Sequence, residues 1–535
     1  MSDAASRAFF RPKNLVLARE LERAIRTGRP LVLLLPIAPI VAVVTLGAVA
    51  VRGMIGAMGS PGAVAYQIFF SLAYFVSTLV MPALAAFDFA SEREMGTWDA
   101  LVMTALDVRE IVRGKFWMNQ ALALALVLML APISFICPLL DGATVGEVGV
   151  ALFFLGLVAT LATAYGCVVG AWARSSGWAV VAAVGSWAVG APLLFGGAGI
   201  ALSMLAHGTW PAVPPNTPVW LPLAFARAPL NGTYVLLLLA MPSALAALGL
   251  WLFYLLTLAG LQNDAEDRTT GLKCWYLAAL PPMIAIAAVP GFMTRGVARL
   301  GAWLGGLGGI FGFLLFATFM LAGDAWEPSP TVERRWEQER AGWLSRMLGP
   351  GLVQTLMLVL VSGLLSTAMF SLVGAAALST PGTRGLPAPP AVALLLCGET
   401  WGAFYAFIVG FLLWARARSE SVRSARLVSL FVAALAATAP FLLLGGARLG
   451  IASRAHDLLL LASASPLYAL VVVRSILEGE PHLAMVTSIA CSLGWVLLGV
   501  TLFAFGARRA TRIVAVRRRA RLEASLYPEP SAPLR

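Results

Sequence analysis

The sequence predicts an all-α fold: a polytopic helical membrane protein of about 12 transmembrane helices in two six-span halves, with amphipathic helices lying at the interface. Three observations predict it. Hydrophobic residues make up 60% of the chain and charged residues only 12%, where a soluble domain carries about 25% charged residues. Mean hydropathy is +0.85. Apolar runs of roughly 20 residues, the length that crosses a hydrocarbon core, recur along the chain. The alternating segments of about ten residues that a membrane barrel needs are absent.

The net charge of +12 does not point to nucleic acid, because the bases sit in the termini and in alternate loops. Placing both termini in the cytoplasm puts the large majority of the 38 Lys and Arg residues on that side, as the positive-inside rule requires. The expected location is a plasma membrane, such as a bacterial inner membrane. Cys137, Cys167, Cys274, Cys397 and Cys491 stand singly in or beside apolar runs, with neither disulfide nor metal spacing. The first 30 residues are basic and amphipathic and do not read as a cleaved signal.

In order, residues 1–30 form a cytoplasmic amphipathic segment. Within it Leu17, Leu21, Ala24 and Ile25 line one side and Arg19, Glu22, Arg23 and Arg26 the other. Asn14 and Gly28 are suited to cap its ends. Residues 31–262 form the first half, with spans at 31–51, 66–87, 118–140, 148–172, 178–205 and 234–261. A polar cytoplasmic linker, 263–273, precedes a degenerate second half, 274–507. Its spans fall at 275–292, 300–322, 351–378, 391–415, 427–444 and 485–505, and a basic cytoplasmic tail, 508–535, closes the chain. The halves share an order of parts. Asp88 follows the second span and Asp324 the eighth, and Pro-bearing segments at 214–232 and 463–481 precede the sixth and twelfth. Pro192 and Pro242 are expected to kink helices, Gly301, Gly305, Gly306, Gly308 and Gly309 to favour close helix packing, and the tryptophans to populate interfacial belts.

The stretch 88–117 holds the densest mixture of both charge signs in the first third of the chain. Met95, Trp98, Leu101, Val102, Ile111 and Val112 recur in it at helical spacing. Thr97 is placed to cap a helix through Leu106, Asp107 with Glu110 begins another, and Gly96 and Gly114 punctuate the ends. The segment reads as two short amphipathic helices at the membrane surface with a face that wants a partner. The bland alternative is a solvated loop between spans.

The pattern E-R-E-x-G-T-x-D-x-L-x-x-T-x-L-x-x-x-E-I-V-x-G-K, from Glu92 to Lys115, resembles the cytoplasmic segment between spans two and three of ATP-binding-cassette (ABC) exporter permeases of the second permease type. The six-span units, the N-terminal elbow helix and the outer S-P-L-Y-A-L segment at 465–470 are similar too. The resemblance implies a coupling helix that docks on a separate ABC ATPase subunit. Trp98, Leu101 and Val102 would then be its apolar contact and Glu92, Arg93, Glu94 and Asp99 its polar frame. Gly96, Thr97, Glu110, Gly114 and Lys115 complete the motif.

The chain itself carries no P-loop: Gly114-Lys115 lacks both the upstream glycine and the following Ser or Thr. ATP and magnesium are therefore expected on the partner ATPase, with no cofactor, metal or catalytic residue in this chain. The other partners expected are membrane lipid and, if one chain does not supply both permease halves, a second permease chain. Residues 333–349 occupy the matching place in the second half, with Trp336, Trp343 and Leu344 available for contact, but lack the Gly-Thr break.

Glu399, beside Thr400 and Trp401 in the tenth span, is a candidate for lining a translocation path, because mid-membrane charges are costly and default to function. The other reading places it at the outer interface, bonded to a neighbouring helix. Two further functions compete with the permease. A secondary transporter driven by an ion gradient fits the span number but would need more mid-membrane charge. A membrane-embedded enzyme would need clustered acids, histidines or metal ligands, and His207, His456 and His482 stand apart.

Overall fold

The structure, a computed structural model, describes residues 15–27, 34–54, 61–103, 107–140, 144–190, 231–262, 267–294, 297–326, 332, 334, 336, 348–349, 351–379, 390–419, 421–450, 460–478 and 482–526. The described residues are almost wholly helical and contain no strand. Among the described residues, ten helices are long and apolar enough to cross a membrane, and two shorter apolar helices, Ile37–Val51 and Ser176–Gly190, accompany them. The chain is an all-α multi-pass membrane protein. It divides into two compact units, Met1–Asn263 and Asp264–Arg535.

The first unit contains α1 (Leu15–Thr27), α2 (Ile37–Met54), α3 (Pro61–Glu94), α4 (Thr97–Val102) and α5 (Val108–Ser134, resuming as Ile136–Leu139). It continues with α6 (Val145–Trp172), α7 (Ser176–Gly190) and α8 (Gly232–Leu261). α6 is its hub, packed on α3, α5 and α8. A capping box starts α6: the Glu147 amide donates to Thr144 Oγ1 at 3.2 Å and the Thr144 amide to Glu147 Oε2 at 2.6 Å. Its contact with α3 is close because Gly166 and Gly170 lie against the backbone of Pro82 and Ala86. A Cβ on Gly170 would sit 2.5 Å from the Ala86 carbonyl. α8 opens with a π-helical turn, Val235–Ala240, just ahead of Pro242, so the irregularity expected there is present as a wide turn. Pro192 lies outside the described residues.

α1 keeps the expected amphipathic character: it turns Val16 and Glu20 to the bundle and leaves Leu21 exposed, as an interfacial helix does with the apolar stripe that meets the membrane. Glu20 forms ion pairs with Arg19 at 3.1 Å and Arg23 at 3.8 Å, while Val16 meets α5. Gly114 does not end a helix. It lies inside α5, where α1 crosses, and a Cβ there would fall 2.8 Å from Val16 Cβ and 2.9 Å from the Leu17 amide nitrogen. Gly114→Val is therefore expected to cost about 1–3 kcal/mol by overpacking, read as a lower melting temperature and faster proteolysis of the N-terminal helix.

The second unit contains α9 (Thr270–Met293), α10 (Val297–Leu321), α11 (Leu352–Leu378), α12 (Pro390–Arg418) and α13 (Val422–Gly450). A 3-10 turn (Leu460–Ala464), α14 (Tyr468–Glu478) and α15 (His482–Leu526) complete it. α12 is the hub, enclosed by α10, α11, α13, α14 and α15. Gly410 and Gly499 let α12 and α15 meet backbone to backbone, and a Cβ on Gly506 would come 2.9 Å from Leu413 Cγ. The S-P-L-Y-A-L segment is tied to this hub: Trp401 Nε1 donates to the Pro466 carbonyl at 3.1 Å, and Ser465 Oγ to the Ala437 carbonyl at 2.6 Å.

Of the α10 glycines, Gly306 packs closely, 2.5 Å from the Ala287 carbonyl for an added Cβ, and Gly308 makes ordinary contact with Trp401. Gly301, Gly305 and Gly309 face open space and do not serve helix packing as expected. The belt reading of the tryptophans is corrected in part. Trp117, Trp172 and Trp178 are exposed, but Trp98, Trp187, Trp275 and Trp303 are core residues. Trp303 fills a slot that Gly291 and Gly374 leave beside it. α15 also runs well beyond the predicted end of the last span, carrying the basic tail as helix through Leu526.

Candidate functional site

The stretch between α3 and α5 is built around one break. Gly96 takes φ +70°, a left-handed conformation that other residues adopt at a cost, and this turns the chain out of α3 into α4. Thr97, expected to cap α4, donates its Oγ1 back to the Glu92 carbonyl at 3.1 Å, closing the end of α3. α4 runs only to Val102, short of the predicted Leu106. α5 begins as expected at Asp107, whose carboxylate accepts from the Arg109 amide at 3.1 Å, and Glu110 sits exposed in the first turn.

Beneath the break lies a buried ion-pair cluster. Lys115, 1% exposed, reaches Glu92 Oε1 at 2.9 Å and Asp88 Oδ1 at 3.4 Å. Asn119, one turn along α5, donates to Asp88 Oδ2 at 3.0 Å. Arg93 donates to the Ala171 carbonyl at the end of α6, and Glu94 accepts from the Ser176 amide at 2.9 Å at the start of α7. The end of α3 is thus clamped to α5, α6 and α7 at once.

This placement corrects part of the assigned division of labour. Glu92 and Lys115 are partners of each other inside the unit and cannot frame a surface for another protein. Trp98 is 8% exposed and belongs to the core with Val16, Phe89, Ile111 and Phe116. Leu101 is half-buried against the same cluster. The reason is physical: a six-residue helix cannot hold itself together, so its largest apolar side chain goes to the bundle that supports it. Among the described residues, the apolar side chains left outside are Met95, 65% exposed, and Met103, 88% exposed, with Thr97 and Ala100 exposed between them. The side chains of Asp99 and Val102 lie outside the described residues.

The second unit holds a comparable cluster that the sequence reading missed. Lys273, in the first turn of α9, reaches Asp324 Oδ2 at 2.9 Å and the Gly349 carbonyl at 2.8 Å. Asp324 also accepts from Thr269 at 3.1 Å, from Thr355 at 2.5 Å and from the Ala325 amide at 2.9 Å. Lys273 and Asp324 are both buried, and their network ties α9, the end of α10 and the start of α11 together. The signal was present in part: Asp324 follows the eighth span as Asp88 follows the second, while Lys273 closes the polar linker ahead of the seventh. Of residues 333–349, Trp336 is described, donating to Asp267 Oδ2 at 3.4 Å; Trp343 and Leu344 fall outside the described residues.

Asp267 precedes α9. Burial pushes its carboxyl up, but hydrogen bonds from Thr270, Trp336 and Thr269 outweigh that and hold it below the ordinary carboxylate value. A depressed folded-state pKa contributes stability above the unfolded value, about 3.9, that is lost as pH falls through the folded one. Asp267→Asn is therefore expected to lower stability at neutral pH and to flatten its fall in acid, checked by thermal unfolding between pH 3 and 7.

Glu399 lies on an exposed face of α12. Its neighbour Thr400 turns inward to Ser488 Oγ at 3.1 Å and Ser492 Oγ at 3.3 Å. No group of three or more His, Cys, Asp or Glu able to hold a metal occurs among the described residues. No protein-family model and no curated protein sequence matches this chain.

Proposed function

We propose that the chain is the transmembrane permease of an ABC exporter, moved by ATP hydrolysis on a separate nucleotide-binding subunit. One observation carries the reading: a short helix lies between two spans, clamped by its inner face to the bundle, with the apolar side chains that flank it, Met95 and Met103, exposed. A part held by α3, α5, α6 and α7 passes a push from outside directly to those helices. Exposed methionines supply a soft, adaptable contact for a partner surface. The buried Glu92–Lys115 pair keeps the lever stiff. Both termini are assigned to the cytoplasm and the membrane to a plasma membrane on charge asymmetry.

A second reading has one observation in its favour. The buried Lys273–Asp324 pair, at the ends of α9 and α10 where they leave the membrane, is a charge pair that an ion entering from that side would meet. Uptake into inside-out proteoliposomes separates the two. The permease needs ATP, magnesium and its ATPase subunit, while the alternative moves substrate on an imposed ion gradient alone.

A further inference from the structure

Where α10 ends, two arginines from neighbouring helices close on its last turn. Arg416, at the end of α12, donates through Nη2 to the Asp324 carbonyl at 3.5 Å and stacks on Trp326 at 5.2 Å. Arg426, in the first turns of α13, donates through Nη2 to the Met320 carbonyl at 2.9 Å. Gly323 makes room for it: a Cβ there would stand 2.6 Å from Arg426 Nη2. Capping the negative end of a helix accounts for these two bonds and for little else, because each guanidinium has five donors.

Among the described residues the charges do not balance. Arg416 is 5% exposed and Arg426 half-buried, and the Nε of each is buried with no hydrogen-bond partner. The Asp324 carboxylate beside them is taken by Lys273, Thr269, Thr355 and the Ala325 amide. Buried charges are ordinarily paired, and here, among the described residues, no free anion faces the two guanidinium groups. The place is where α10, α12 and α13 leave the apolar spans, at the depth of lipid headgroups. Basic pockets between spans at that depth take phosphate-bearing headgroups, and guanidinium forks match phosphate oxygens.

We propose that Arg416 and Arg426 form an anion site that binds a phosphate group, supplied by the headgroup of an anionic membrane lipid. The proposal is independent of what drives transport.

The test uses the full chain, delipidated in detergent and read by native mass spectrometry. Phosphatidylglycerol, phosphatidylcholine of the same acyl chains, and inorganic phosphate are added in separate arms. The expected result is one phosphatidylglycerol retained in preference to phosphatidylcholine. Its affinity should fall about tenfold or more in Arg416→Gln/Arg426→Gln, the scale of losing one charge-assisted hydrogen bond. Arg508→Gln/Arg509→Gln, on the basic extension of α15, should leave it unchanged. Should the double glutamine variant not fold, Arg416→Lys/Arg426→Lys keeps the charge, loses the fork, and should weaken binding by a smaller factor. Displacement of the lipid by millimolar inorganic phosphate would assign the same site to free phosphate as well. Equal retention of the two lipids by the wild type, or undiminished phosphatidylglycerol binding by the arginine variants, would overturn the proposal.

Discussion

Replacing Lys273 by methionine is expected to destabilise the second unit by about 3–5 kcal/mol, because it leaves the Asp324 carboxylate buried without its countercharge. The loss should be large enough to lower the yield of inserted, folded protein. The double variant Lys273→Met/Asp324→Leu should recover part of it, since no charge is then stranded, although Thr269, Thr355 and the Ala325 amide lose their acceptor. Thr355→Val alone should cost less, about 1–3 kcal/mol, by leaving one carboxylate lone pair unfilled. Melting temperatures of the four proteins in one detergent check all three statements. Equal stability of the single and double variants would show that the two residues are not coupled.

Placing glutamate at both Met95 and Met103 is the second large effect expected. The two side chains project from the bundle, so the substitutions should leave stability within about 0.5 kcal/mol of wild type. They should nonetheless abolish ATP-driven transport by removing the apolar edge proposed to meet the ATPase. Trp98→Glu should behave differently. It places a charge in the core shared with Phe89 and Ile111 and should destabilise the fold itself. Melting temperature and transport measured side by side separate a lost contact from a lost structure, and unimpaired transport by the double methionine variant would sink the docking role.

The helical membrane class and the existence of the segment at 88–117 were legible because both rest on composition and periodicity, which survive any packing detail. The Gly96 break and the Asp107 cap were legible for a similar reason: each depends on chemistry within four residues. What could not be read was direction. Trp98 and Met103 both look like outward apolar residues on a short helix, and only the presence of Val16, Ile111 and Phe116 nearby decides that Trp98 turns in. Gly114 looks like a helix end until α1 is seen to cross it. Lys273 and Asp324 were visible as charges beside spans. Their meeting depends on α9 and α10 running antiparallel in contact, which no local pattern encodes. The glycines of α10 show the converse: a run of small residues is compatible with close packing, yet an available neighbour makes use of only some of them.

The most direct test of the coupling claim is a cysteine at position 103 in native membranes, treated with a short bifunctional cross-linker in the presence and absence of ATP. The proposed function predicts an adduct with a subunit that is labelled by a photoreactive ATP analogue, with a yield that changes when ATP is bound. An adduct-free chain, from membranes in which transport remains active, would contradict it.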